Sequence, residues 1–117
     1  MKKAEALYFK VKSPEGKVHI HIDYTGNKIE NIFVRIPPIG TPINVLAASL
    51  GVILSKYFQL GGTIDAIIKH LNSAKGSSRV IEDEGENVES IPNAIALALI
   101  KFKEYLATKE KHDTERK

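Results

Sequence analysis

The chain has 117 residues, of which 43% are hydrophobic and 26% are charged, and none is a cysteine. This length and composition predict one globular domain with its own core and argue against a disordered or fibrous chain. The lack of cysteine excludes disulfides, thiolate metal sites, a cysteine nucleophile and thiol redox chemistry. The net charge of +3 is spread along the chain, which favours solvated lysines around a core over a dense nucleic-acid footprint.

The beginning of the sequence has no apolar segment typical of a signal peptide. The longest apolar stretch, Val45 to Leu54, is about half the length of a membrane span. We therefore expect a soluble protein located in the cytoplasm.

Three early segments alternate apolar and polar residues with period two, as half-buried strands do. Their apolar positions are Leu7, Phe9 and Val11, then Val18, Ile20 and Ile22, then Ile32, Val34 and Ile36. Short turns containing Gly16 and Gly26 join them, so the pattern predicts an antiparallel meander.

The rest of the chain predicts three helices. Thr41 and Pro42 begin the first, which runs to about Leu60 and is apolar nearly all round, so we expect it to lie buried across the sheet. Thr63 caps the second helix, which ends near Leu71, and Ser90 caps the third. Residues 72–89 read as a long polar loop with a short strand at 79–81.

The order β-β-β-α-α-α predicts an α+β fold, with a three-stranded antiparallel meander followed by three helices packed on one face of the sheet. We place a single domain at residues 1–106. Residues 107–117 form a charged C-terminal tail with no apolar residue to anchor it from position 108 onward, and we predict that it frays.

Three stretches carry a family resemblance: the strand–turn–strand of residues 18–36, the helices of 48–53 and 64–71, and, most specifically, the Ser90-Ile-Pro-Asn-Ala-Ile-Ala-Leu-Ala-Leu segment. From about Lys17 to Lys103 the chain resembles the TSCPD domain. That domain occurs as a C-terminal appendage of adenosylcobalamin-dependent ribonucleotide reductases and as small free-standing proteins. The resemblance implies an accessory or regulatory module.

Ser90, Pro92 and Asn93 are the positions that match the start of the family's last helix. The family's aspartate is Asn93 here, which keeps the ability to cap a helix but loses the charge. Many members have cysteines that suggest a metal or redox site, and this chain has none.

His19 and His21 are two residues apart on a predicted strand, so both side chains project from one face. Two imidazoles and one outside ligand can hold zinc. The alternative, which we favour, is the solvated face of an antiparallel sheet. We therefore assign no metal and no cofactor, and keep His19 and His21 as weak candidates.

The strongest anion-binding candidate lies in the predicted loop. Backbone N–H groups, two hydroxyls and two cations are what a phosphate needs, and one short segment offers them: Lys75, Gly76, Ser77, Ser78 and Arg79. The simpler interpretation is a flexible polar loop. The acidic run of residues 82–86 follows directly and would repel a nucleic acid or cover the basic segment until a ligand displaced it.

A second candidate surface is the outer face of the predicted sheet, which would carry aromatic and basic residues together: Tyr8, Lys10, Phe33 and Arg35. Such a face can stack bases and hold phosphates. Phe33 calls for a partner, and burial against a second subunit explains it as well as a nucleic acid does. A homodimer through this face would also hide the sheet's edge strands.

No hydrolase, transferase or dinucleotide-binding signature is present, and no carboxylates pair at spacings that suggest acid–base work. We therefore expect no enzyme activity. The leading hypothesis is a non-catalytic accessory or regulatory interaction module that self-associates, as a dimer, or binds a protein partner. The alternative is a nucleic-acid or nucleotide-binding protein that uses the basic outer face and the 75–79 loop. The sequence names neither the partner nor the oligomer size.

Overall fold

The computed structural model of the chain describes residues 3–74, 80–81 and 85–115. Three strands, β1 (Ala4–Ser13), β2 (Gly16–Thr25) and β3 (Lys28–Arg35), form one antiparallel sheet in the order β1-β2-β3. The helices are α1 (Pro42–Gln59), α2 (Ile64–Asn72) and α3 (Ile91–Glu115). A short hairpin of β4 (Val80–Ile81) and β5 (Asn87–Val88) precedes α3. The predicted α+β arrangement, a meander followed by three helices, is confirmed.

The core lies between the inner face of the sheet and the helices. Apolar residues of the three strands are buried there with the predicted period of two, except between Ile29 and Ile32, where the pairing of β2 with β3 shifts. They are Val11, Val18, Ile20, Ile22, Tyr24, Ile29, Ile32 and Val34. α3 closes the core with Ile95, Leu99 and Phe102, which are fully buried. The Phe102 ring meets the Tyr24 ring edge to face, with centroids 5.0 Å apart, a favourable geometry for two aromatic rings.

α1 lies along β3, and its backbone touches the strand. A Cβ added at Gly51 would stand 3.0 Å from the Ile32 carbonyl oxygen and 3.0 Å from the Val34 nitrogen. These distances are shorter than ordinary Cβ contacts, so a side chain at this position would require α1 or β3 to shift. Side chains of α1 also bond to backbone groups of Glu30 and Ile32 in β3 and of Ile36 just after it, so the helix covers the free edge of this strand.

The expectation that α1 is buried all round is wrong. Its buried stripe contains small and polar residues as well as large ones: Asn44, Ala47, Gly51, Leu54, Ser55 and Phe58. The opposite side carries four apolar residues that remain exposed by 54%, 70%, 62% and 64%: Val45, Leu46, Val52 and Ile53. About half of the apolar residues that predicted a buried helix therefore lie on an exposed surface of α1.

α3 continues to Glu115, past residue 106, where the sequence predicts the end of the ordered domain. Lys109 accounts for part of the extension, because its Nζ lies 2.7 and 2.8 Å from the two carboxylate oxygens of Glu5 on β1. This one contact, between Glu5 and Lys109, therefore anchors the later turns of α3 to the sheet. None of the described helices is long and apolar enough to cross a membrane.

Candidate functional site

The outer face of the sheet gathers the predicted aromatic and basic residues in two rows across the three strands. Strand pairing sets Tyr8 opposite His21 and His21 opposite Phe33. The next row sets Lys10 opposite His19 and His19 opposite Arg35. The structure thus brings all four predicted residues of this face together with both histidines, because alternation sends each of them away from the core.

Tyr8 is held in place by the two histidines on β2. Its ring meets that of His21 edge to face at 4.8 Å between centroids, and its hydroxyl is hydrogen-bonded to Nδ1 of His19. Tyr8 and Phe33 nevertheless keep 48% and 57% of their surface exposed. The aromatic row is therefore fixed at one end and open to contact along its length.

The basic row has a positive electrostatic character that is visible at His19. Burial lowers the pKa of this imidazole, and the nearby charges of Arg35 and Lys10 lower it further. A neutral His19 can accept a hydrogen bond from the Tyr8 hydroxyl at Nδ1. The positive field that disfavours a protonated His19 would attract an anion placed beside this row.

The metal candidates His19 and His21 lie side by side on the face. Among the described residues no group of three or more histidines or carboxylates stands close enough to hold a metal ion. Asp23, the nearest acid along β2, sits one row further along the strand, between Ala6 and Asn31. The two imidazoles alone could contribute to a site only with ligands from elsewhere.

A groove of about 310 Å³ opens where the sheet's outer face meets α1. Its lining combines a phenyl ring, two imidazoles, aliphatic groups and two further polar side chains: His19, His21, Phe33, Val34, Arg35, Ile39, Asn44 and Ala48. Sequence reasoning missed Ile39, Asn44 and Ala48, because it placed α1 across the inner face. The small residues at 47, 48 and 51 were the available signal that this helix approaches a strand closely.

A larger depression of about 610 Å³ lies at the other end of the sheet, between the β2–β3 turn and the start of α2. Its charged residues include Lys28, Asp65 and Lys103. Lys103 forms an ion pair with Asp65, which uses two of these three charges. The smaller groove is therefore the better candidate for a charged ligand.

The residues of the Ser90-Ile-Pro-Asn segment make hydrogen bonds that stabilise the start of α3. The Ser90 hydroxyl accepts from the Asn93 N–H at 3.1 Å, as a helix cap does. The Asn93 side chain accepts from the Glu89 N–H at 3.0 Å and donates to Asn72 Oδ1 at 2.7 Å. Pro92 occupies the first turn of α3. Asn93 thus ties the end of α2 to the start of α3.

The predicted anion loop, Lys75 to Arg79, lies outside the described residues, as do residues 82–84 of the acidic run. The Ser90 hydroxyl is hydrogen-bonded to the carbonyl of Ala74, the last described residue before this loop. Further along the same segment, Glu86 faces Lys101 of α3 at 3.6 Å. The loop stays a prediction.

Comparison with known proteins gives one family. No curated protein and no solved structure matches the chain. The family model described as the TSCPD domain matches residues 2–103, which covers the sheet, α1, α2 and the first half of α3. The chain therefore belongs to the TSCPD domain family.

Proposed function

We propose that this TSCPD domain is a non-catalytic accessory or regulatory module that works in the cytoplasm by binding, and that it self-associates through the exposed face of α1. Its family supports an accessory role, since the TSCPD domain is found in ribonucleotide reductase-associated proteins. The cysteine-free composition fits the location.

The observation that carries self-association is the symmetry of the α1 face, which consists of Val45, Leu46, Ser49, Val52 and Ile53. Ser49 is exposed and sits at the centre. Two large apolar residues lie three and four positions before it, and two more lie three and four positions after it. Two copies of the helix crossing antiparallel at Ser49 would place each apolar pair against the other, as a two-fold interface requires.

The size of the surface is consistent with a dimer. Counting the neighbouring Ile43 and Leu60, six large apolar side chains are exposed along α1. At about 100 Å² for each aliphatic side chain, they offer roughly 600 Å² per subunit, against about 800 Å² for a standard interface. Isolated surface apolar residues need no explanation, but a contiguous set of this extent does.

Ser49 provides a test with its own control. Ser49→Arg places a bulky cation at the proposed crossing point without touching the core, so we expect a monomer in analytical ultracentrifugation. Ser49→Ala keeps the position small, and we expect it to remain dimeric. Ile53→Glu should give a monomer as well. A monomeric wild-type protein at high concentration would refute self-association, as would a Ser49→Arg variant that dimerises like the parent.

A second candidate function is nucleic-acid or nucleotide binding through the outer face, Tyr8, Lys10, Phe33 and Arg35, with a contribution from the Lys75–Arg79 loop. The adjacency of an open aromatic row and a basic row favours it. Salt separates the two candidates. Phosphate contacts weaken as salt rises, whereas an apolar dimer interface does not.

A further inference from the structure

We propose that the groove between the outer sheet face and α1 binds a single nucleotide unit, with its base against Phe33 and its phosphate at Arg35 and His19. The inference rests on the second proposed function, nucleotide or nucleic-acid binding, and adds the location of the site and the chemical class of the ligand. The residues that line this groove include none of those assigned to the proposed dimer face.

Phe33 supplies an accessible aromatic surface. More than half of the residue is exposed, and it borders two depressions. One is the groove, on the side toward Arg35, and the other, of about 270 Å³, lies toward Asn31 and is shared with Val52. A planar ring that enters either depression would contact Phe33. Base–aromatic stacking requires this access and tolerates any base.

Arg35 places a positive charge one row from that ring. It projects on the same face two residues after Phe33, about 6.6 Å further along the strand. His19 stands opposite Arg35, and Lys10 stands opposite His19. The groove also borders the first turns of α1 at Asn44, where the helix dipole adds positive potential. An anionic group is thus favoured next to the ring and not on it.

The combination identifies the ligand class. An inorganic anion such as phosphate would make no use of the stacking surface, and a free base would make no use of the basic row. A phosphate ester that carries a planar base uses both in one molecule. The groove, at about 310 Å³, lies at the small end of ordinary ligand sites, so it suits one nucleotide rather than a dinucleotide or a folded nucleic acid.

The test titrates the intact protein at low salt with AMP, adenosine, ribose 5-phosphate and a short oligoadenylate, followed by NMR of the amide groups. We expect AMP to shift the amides of residues 33–35, and to bind about tenfold more tightly than either adenosine or ribose 5-phosphate. Phe33→Ala and Arg35→Gln should each weaken AMP binding by about fivefold or more.

Lys28→Ala is the matched control, because it removes a charge from the other end of the same strand, and we expect no change in AMP affinity. Equal binding of AMP and ribose 5-phosphate would overturn the role of Phe33. Binding of the oligonucleotide without AMP would refute the single-nucleotide groove and leave the broader nucleic-acid function standing. The absence of binding by all four probes would refute both.

Discussion

Ser55 of α1 and Ile32 of β3 satisfy each other's polar groups at the edge of the sheet. The Ser55 hydroxyl accepts the Ile32 N–H at 2.8 Å, and its proton is shared between the Ile32 carbonyl at 3.0 Å and the Gly51 carbonyl at 2.9 Å. One side chain thereby replaces the neighbouring strand that this residue lacks. Asn44 does the same for the Ile36 N–H at 3.0 Å.

Ser55→Ala removes that replacement and leaves the Ile32 N–H and C=O buried without partners. An unsatisfied buried polar group costs about 1–3 kcal/mol, offset in part by the better helix propensity of alanine. We expect a net loss of about 1–2 kcal/mol in the free energy of urea unfolding. Ser49→Ala, on the exposed side of the same helix, serves as the control; it has the same gain in helix propensity without the lost hydrogen bonds and should be at least as stable as the parent protein. Equal midpoints for both variants would contradict the edge-covering role.

Gly51→Ala tests the contact between the helix backbone and the strand. The new Cβ would lie 3.0 Å from two backbone atoms of β3, which cannot swing aside as a flexible side chain would. Overpacking of this kind costs about 1–3 kcal/mol and outweighs the gain in helix propensity, about 1 kcal/mol at most. We therefore expect a lower thermal midpoint. A variant that is more stable than the parent would show that α1 can move away from β3 at no cost.

The strands and their turns follow from the sequence because alternation is a local signal, and Val18, Ile20 and Ile22 show it without interruption. The position of α1 does not follow from it. A helix that is apolar nearly all round looks buried, and only the face that carries Asn44, Gly51 and Ser55 signals contact with a strand edge. The extension of α3 depends on Lys109 meeting Glu5, which are 104 residues apart, and no local pattern contains that pairing.

Asn93 stands where the family's aspartate would, and its network predicts how the exchange is tolerated. In Asn93→Asp the carboxylate still accepts from the Glu89 N–H. The Asn72 amide can rotate to donate instead of accept, so we expect a loss of less than about 0.5 kcal/mol in urea unfolding. Asn93→Ala loses both bonds and should cost about 1–2 kcal/mol. Equal losses for the two variants would contradict a structural role for the amide.

Glu5 gives a prediction in acid. Its hydrogen bond to Lys109, and then its hydrogen bond to Tyr24, lower the pKa of this carboxyl below its ordinary value of 4.5. Because the pKa of Glu5 is lower in the folded than in the unfolded chain, its ionised form stabilises the fold at pH values above the unfolded-state pKa. That stabilisation disappears as the pH falls through the folded-state pKa. We expect carboxyl NMR titration to show a lowered pKa that rises in Lys109→Ala.

The control for this titration is Lys101→Ala. Lys101 lies on another part of α3 and faces Glu86, not Glu5. It should leave the pKa of Glu5 unchanged. An ordinary pKa for Glu5 in the parent protein would mean that the end of α3 is not held against β1 in solution.

His19 offers a matching measurement on the outer face. Burial comes first among the causes that lower its pKa below 6.5, and the charge of Arg35 second. Since the folded chain then binds fewer protons than the unfolded chain just below pH 6.5, stability should fall there as the pH decreases. We expect Arg35→Gln to raise the pKa of His19 in an imidazole NMR titration, and Lys28→Ala to leave it unchanged. If Arg35→Gln left the pKa of His19 unchanged, the two side chains would not interact in solution.

The candidate surface was predictable in its members and not in its arrangement. Alternation alone places Tyr8, Lys10, Phe33 and Arg35 on the outer face. Which of them stand opposite each other depends on strand register, including the shift between Asp23 and Tyr24. The groove depends further on where α1 crosses the end of β3, so Ile39 and Ala48 enter it only through tertiary structure.

The helix along β3 also limits how this sheet can grow. Strand addition, which drives fibre formation, needs an edge at both ends of each unit so that the next unit can attach. Here Ser55 and Gln59 already bond to backbone groups along the β3 edge, and Asn44 bonds to the Ile36 N–H just after the strand. If two chains met along β1, the joined sheet would end in α1 on both sides. Growth by strand pairing alone would stop at two copies.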